Sequence, residues 1–177
     1  KPKTKKVGKA KRPSLKIDEK KSYTATLETN CGDIEIALDV KRAPKTVASF
    51  VALGRKGFFD GLGFHRIVPG FVVQGGDPAG TGNGGPGYDV TETPPSDLKY
   101  AKGTVAMAKT AMDAPGTSGS QFFIVTAEDA GLPPDYALLG KVTKGDDAVK
   151  KIEAVPAEGD GQPTEPVVIS KLTIESK

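Results

Sequence analysis

Residues 64–77, Phe-His-Arg-Ile-Val-Pro-Gly-Phe-Val-Val-Gln-Gly-Gly-Asp, constrain the fold more than any other stretch of the chain. Two short apolar runs, residues 64–68 and 71–73, flank Pro69-Gly70. Proline presets φ at the second position of a tight turn and glycine accepts positive φ at the third. The spacing therefore predicts two strands joined by that turn. Alternation along the second run puts Phe71 and Val73 on one face, with Val72 and Gln74 on the other. The same few residues offer a guanidinium (Arg66), an aromatic ring (Phe71) and an amide (Gln74). A cation, a ring and an amide on a rigid sheet suit a neutral polar ligand with an apolar part.

The pattern of short runs and punctuation continues along the chain, which has 22 Gly and 14 Pro. Strands are predicted at 23–29 and 33–38, joined by a turn at Asn30-Cys31-Gly32, and at 103–108, 120–125, 136–142 and 166–175. Helical signatures cover 43–54, where Pro44 suits a first turn and Gly57 ends the helix, and 146–154. Residues 75–87 are too rich in glycine for regular structure, and 110–119 and 129–135 read as loops. Eight strands and two helices fit a mainly β protein: a closed eight-stranded antiparallel β-barrel capped by two α-helices.

The charge is uneven. Residues 1–21 carry ten Lys/Arg against two acids, a balance of +8, whereas residues 22–177 carry 15 against 20, a balance of −5. The first segment reads as a basic, disordered tail or linker able to contact anionic surfaces such as nucleic acid or lipid, and residues 22–177 as the folded domain. The chain does not begin with Met, as expected of a trimmed fragment. No apolar run approaches the roughly 20 residues of a membrane-spanning helix. Cys31 is the only cysteine, so no internal disulfide can form.

Several chemistries are disfavoured. Residues 80–85 satisfy G-x-G-x-x-G, but Pro86-Gly87 follows where a dinucleotide site needs a helix to begin. His65 is the only histidine, leaving no zinc set, and no nucleophile-elbow motif exists for a triad to use it. His65 is read as structural, and neither a metal nor a cofactor is expected. A polar site without nucleophile, base or metal suits binding, or a reaction that breaks no bond to carbon.

Residues 64–77 closely resemble the signature of the cyclophilins, the peptidyl-prolyl cis–trans isomerases. Three further segments resemble that family in its order: Gly103-Thr-Val-Ala-Met-Ala108, Gly119-Ser-Gln-Phe-Phe-Ile124, and 136–142 with Leu132 before it. The match spans about residues 23–175, and the glycine loop with its Gly-Pro-Gly-Tyr looks like bacterial members. The resemblance implies the barrel already expected. It also implies an enzyme that needs no cofactor, accelerating rotation about X–Pro bonds in proline-containing peptides and in unfolded or folding proteins. It assigns Arg66 the catalytic guanidinium, supported by Phe71 and Gln74. Phe71, Met107, Phe123 and Leu132 would form the cup for the proline ring, with Tyr136 closing its rim. Gln74 and Gln121 would orient Arg66 and the substrate, and the main chain at Ala108 and Lys109 would pair with the residue before the proline. The alternative is a proline-peptide-binding chaperone or scaffold module with little turnover.

The chain departs from the family at several positions. Lys109 stands where Asn is frequent, the loop 110–119 is longer than in the best-known members, and Tyr136 stands where eukaryotic members commonly have His. Gly131 stands where strong ciclosporin binders have Trp, so weak ciclosporin binding is expected. A monomer is expected. The opening of the domain looks like actinobacterial members that follow a membrane anchor or signal, which favours an extracytoplasmic place.

Overall fold

The computed structural model describes residues 11–177. In chain order the elements are β1 (Tyr23–Thr29), β2 (Gly32–Leu38), α1 (Pro44–Arg55), β3 (Phe64–Val68), β4 (Val72–Gly75), β5 (Val90–Thr91), β6 (Thr104–Met107), β7 (Thr117–Ser118), β8 (Phe122–Val125), β9 (Leu138–Lys144), α2 (Asp146–Glu153), β10 (Ala157–Glu158), β11 (Gln162–Pro163) and β12 (Ile169–Ser176). Eight strands form one antiparallel sheet in the order β12-β1-β2-β9-β6-β8-β4-β3. The predicted turn is present: the Phe71 N–H donates to the Val68 carbonyl at 3.0 Å, and Gly70 sits at φ 74°.

The sheet curls strongly, but no ladder joins its edge strands β3 and β12, which corrects the expectation of a closed barrel. The edges approach only where each strand begins. There Gly63 and Val168 form an isolated bridge, and the Phe64 N–H donates to the Val167 carbonyl at 2.9 Å. Just before β3, the Gly61 N–H donates to the Ile169 carbonyl at 2.7 Å and the Ile169 N–H to the Leu62 carbonyl at 2.8 Å. Two further pairings, β5 with β7 and β10 with β11, are only two residues long, too short for any periodicity to reveal them.

The interior is one apolar cluster fed by alternate residues of every long strand. At its centre the ring of Phe122 meets Phe50, Phe59 and Phe64 edge-on at 5.8–6.1 Å. Helix α1 covers one end. Gly54 permits its close approach, since a Cβ there would lie 2.9 Å from Leu172. No side chain of its own caps its N-terminus. Glu92, from the segment after β5, accepts instead from the N–H groups of Lys45 at 3.0 Å and Thr46 at 2.9 Å. A carboxylate there satisfies otherwise orphaned donors and complements the helix dipole. The helix ends at Arg55, with Gly57 at φ 72° just beyond, as expected.

Of the tail expected at residues 1–21, residues 1–10 lie outside the described residues. Residues 11–18 carry no regular structure, but Pro13, Leu15 and Ile17 are half-buried while Ser14 and Lys16 between them, and Arg12 before them, are exposed. Ile17 packs against the main core, and Pro13 shares a small cavity with Leu53, Phe58 and Tyr88. Three alternate apolar residues set among cations thus lie against the domain.

Candidate functional site

Strands β4, β6 and β8 send alternate residues outward as well as inward. The outward set, Val72, Ala106, Phe123 and Val125, joins Tyr100 in a second and smaller apolar cluster, against which Phe71, Ala108, Leu132 and Tyr136 are partly buried. Phe71, Val72, Phe123, Leu132 and Tyr136 line a cavity of about 200 Å³ whose polar edge is Arg66, Gln74 and Lys109, with Ala108 beside them. That is below the roughly 300–1,000 Å³ of pockets that enclose whole drug-sized ligands, so the cavity suits a single side chain. Its walls are rigid. Phe123 stands edge-on to Tyr136 at 5.6 Å. The buried hydroxyl of Tyr100 donates to the Tyr136 carbonyl at 2.7 Å and accepts from its N–H at 3.0 Å, fixing the rim.

The structure thus brings together Arg66, Phe71, Gln74, Ala108, Lys109, Phe123, Leu132 and Tyr136. It does not place Met107 there. Met107 is 2 % exposed and belongs to the main core, because along β6 Val105 and Met107 point inward while Ala106 and Ala108 point to the cup. Val72 supplies the wall instead. The expected pairing of Phe71 with Val73 is corrected for a related reason. Phe71 lies in the turn before β4, so strand alternation does not govern it, and it joins Val72 at the cup while Val73 enters the core. Gln121 stands just behind the cup and reaches it through Gln74.

Arg66 is held by neutral acceptors. Its Nε donates to the Asp160 carbonyl at 3.3 Å and its Nη1 to Gln74 Oε1 at 3.4 Å. Among the described residues no carboxylate pairs with it. The β10–β11 turn supports its stem from behind: Gly161 accepts from the Ile67 N–H at 2.7 Å, and a Cβ on Gly161 would come within 3.1 Å of Arg66 Cγ. Asp160 and Gly161 were not singled out in the sequence. Their turn-forming run Glu-Gly-Asp-Gly was the only available signal, and it points to no partner.

Lys109 is neutralised. Its ammonium is almost fully buried, 2.7 Å from the Asp135 carboxylate and 5.3 Å from the centre of the Tyr136 ring. It also donates to the carbonyls of Thr110 and Asp113, so it ties the start of the loop 110–119 to the rim. No partner holds the main-chain N–H of Lys109 among the described residues, which leaves it free for an extended ligand. Beyond Lys109 the cup adjoins a second cavity of about 410 Å³ under the glycine loop, which shares Gln74, Ala108 and Lys109 with it. His65 lies behind Gln121, off the cup. Burial pushes its imidazole below the ordinary value, Asp77 draws it up and Arg66 lowers it further, so the neutral form is favoured.

Residues 24–174 match the family model for the cyclophilin type peptidyl-prolyl cis-trans isomerase. The chain is 44% identical over 169 residues to the probable peptidyl-prolyl cis-trans isomerase A of Mycobacterium leprae, covering 85% of this chain and 91% of that protein. It is 38% identical over 173 residues to peptidyl-prolyl cis-trans isomerase B of Streptomyces anulatus, covering 86% and 97%. Among solved structures, a cyclophilin type isomerase of Cryptosporidium parvum in the presence of the dipeptide Ala-Pro superposes with a TM-score of 0.80 at 32% identity, covering 87% of this chain and 99% of that one.

Proposed function

The chain belongs to the cyclophilin-type peptidyl-prolyl cis–trans isomerases, and from that premise we propose that Arg66 carries turnover by stabilising the twisted X–Pro bond. An X–Pro bond resists rotation because the nitrogen lone pair is delocalised into the carbonyl, with a barrier of about 18–20 kcal/mol. Uncatalysed exchange therefore takes tens to hundreds of seconds. At the perpendicular transition state that lone pair is localised on nitrogen. A guanidinium donating to it binds the transition state better than either ground state, which is the condition for catalysis. An acceleration of about a hundred-thousandfold needs roughly 7 kcal/mol, each tenfold being about 1.4.

The observation that carries the reading is an unpaired guanidinium at the edge of an apolar cup, held only by the neutral Asp160 carbonyl and Gln74 amide. A carboxylate partner would compete with the substrate for the same N–H groups. The substrates are proline-containing peptides and segments of unfolded or folding proteins. The cup takes the proline ring while the main-chain N–H of Lys109 pairs with the residue before it, so the ring is held while the acyl side turns.

Several further features follow from this reading. Ciclosporin binds weakly, because Gly131 offers neither a broad flat surface nor an N–H donor beyond its backbone. The domain works as a monomer. A cleft of about 650 Å³ away from the cup is lined by Lys20, Lys21, Lys41, Lys99 and Lys141, none ion-paired among the described residues, together with Glu19, Asp97 and the Arg42–Asp39 pair, so cations outnumber acids there. It continues the charge of the basic segment and supports contact with anionic surfaces.

The deciding variant is Arg66→Ala, assayed by NMR exchange on an Ala-Pro peptide. Turnover should fall about a hundred- to a thousandfold, the usual loss for one preorganised donor at a developing charge. Peptide affinity should weaken far less. Equal losses in binding and turnover would make Arg66 an ordinary clamp. Peptide binding without any acceleration by the unmodified chain would favour the binding-module reading instead.

A further inference from the structure

Asp77 is a buried carboxylate, 2 % exposed, that the mechanism above does not use. It stands where the central stretch enters the glycine loop, and both of its oxygens accept from that loop. Oδ1 accepts from the Ala79 N–H at 2.8 Å; Oδ2 accepts from the Thr81 N–H at 2.9 Å and the Gly82 N–H at 2.6 Å. Besides these, the loop is held by a turn in which the Gly80 N–H donates to the Asp77 carbonyl at 3.1 Å, by the Asn83 N–H donating to Thr81 Oγ1 at 3.3 Å, and by Gln121. It has no regular structure, and Gly80 and Gly82 lie at φ 70° and 93°, in the freest part of glycine's range.

The folded loop turns two carbonyls toward Gln121, whose Nε2 donates to Gly82 O and Gly84 O at 2.9 Å each. An amide has unlike ends, and a flipped Gln121 would set its oxygen against two carbonyl oxygens. The loop therefore decides which way Gln121 faces. Its Oε1 is left to accept from Gln74 Nε2 at 3.0 Å, which in turn leaves Gln74 Oε1 to accept from Arg66 Nη1. Reversing the first amide reverses the second and would present an NH₂ group to the guanidinium.

We infer that Asp77 is a positioning residue for isomerisation: by folding the glycine loop it sets the polarity of the Gln121–Gln74 relay and so aims the Arg66 guanidinium. This rests on Arg66 being the catalytic group.

The test is a double-mutant cycle read in kcat and KM on an Ala-Pro peptide, using the whole chain with Asp77→Asn, Gln121→Leu and the pair. Asp77→Asn turns an NH₂ group toward backbone donors and releases the loop. It should lower kcat about tenfold to a hundredfold, the scale of misplacement at a reacting centre, and leave KM within about twofold. With Gln121→Leu already present, Asp77→Asn should cost nothing further, because residues that act through one path do not add. Losses that multiply would overturn the inference, as would a lowered melting temperature with kcat intact. If Asp77→Asn does not fold, Gly82→Ala runs the same cycle. That position is exposed, a Cβ there meets only His65 Nε2 at 4.0 Å, and the alanine strains the loop at φ 93°. Arg66→Ala measured alongside separates the two ideas. An unchanged kcat there sinks the role of Arg66 itself, whereas a large loss there with an additive cycle sinks only the relay.

Discussion

The inner and outer faces of β4, β6 and β8 arise from one alternation and end differently. Inward, Val73, Val105, Met107, Phe122 and Ile124 are 0–2 % exposed and packed on every side. Outward, Val72, Ala106, Phe123 and Val125 are almost as buried, at 0–4 %. The layer above the outward set is incomplete, because Phe71, Leu132 and Tyr136 are only partly covered. The cup is thus a second core whose last layer stays open. The two faces share strands, so the cup cannot shift without disturbing the main core. The comparison predicts that equal truncations on the two faces damage different quantities.

The largest effect belongs to the inner face. Phe122→Ala removes the ring at the centre of three aromatic contacts and should cost about 3–5 kcal/mol of stability, measured by urea unfolding. Its neighbour Phe123 points outward. Phe123→Ala should instead act mainly on substrate, raising KM and lowering kcat/KM about 10- to 200-fold, the range for lost apolar contact in a binding pocket. If Phe123→Ala unfolds the chain as readily as Phe122→Ala, the two faces are one core and the distinction fails.

Much of this site was legible because its residues lie on short strands with strong punctuation. Arg66, Phe71, Gln74, Ala108, Lys109, Phe123, Leu132 and Tyr136 line one cavity. Met107 was placed at the cup by the resemblance alone; residues 103–108 are apolar on both faces, so their own pattern could not say which side was the cup. The knowledge that Ala106 and Ala108 face outward comes only with the sheet. The support of Arg66 by Asp160 was hidden for another reason: the two lie 94 residues apart in sequence, and the contact is through a backbone carbonyl that no side-chain pattern marks. The Tyr100 clamp on Tyr136 was hidden likewise, its ring lying outside every predicted strand.

The polar layer beside the cup should reveal itself in acid. Burial pushes the Asp77 carboxyl up, but N–H donors at Ala79, Gly82 and Gly84 outweigh it and hold the group below its ordinary value of 3.8. A carboxylate whose folded pKa is depressed stabilises the fold above the unfolded value and loses that contribution as pH falls through the folded one. Melting temperature should therefore drop below about pH 3.8, and Asp77→Asn should flatten that arm. His65, held neutral chiefly by burial, should add a loss beginning below 6.5, because there the unfolded chain takes up the proton first. An acid arm unchanged by Asp77→Asn would mean that other carboxylates carry it.

The smallest effect concerns the edge of the inner core, where the basic segment meets it. Composition marks residues 11–17 as solvated chain, since Lys11, Arg12 and Lys16 dominate them. Yet Ile17 reaches the main cluster while Lys16 and Asp18 on either side stay exposed. Half-burying an isoleucine is worth about 1 kcal/mol, given roughly 1.5–3 for full burial. Ile17→Ser should therefore lower the unfolding free energy by about that much and leave turnover on a short Ala-Pro peptide unchanged, since Ile17 does not line the cup. Turnover that fell with Ile17→Ser would tie the segment to the site, and the separation between a core that holds and a cup that works would have to be redrawn. A melting temperature that did not move would show that Ile17 rests on the core without holding it.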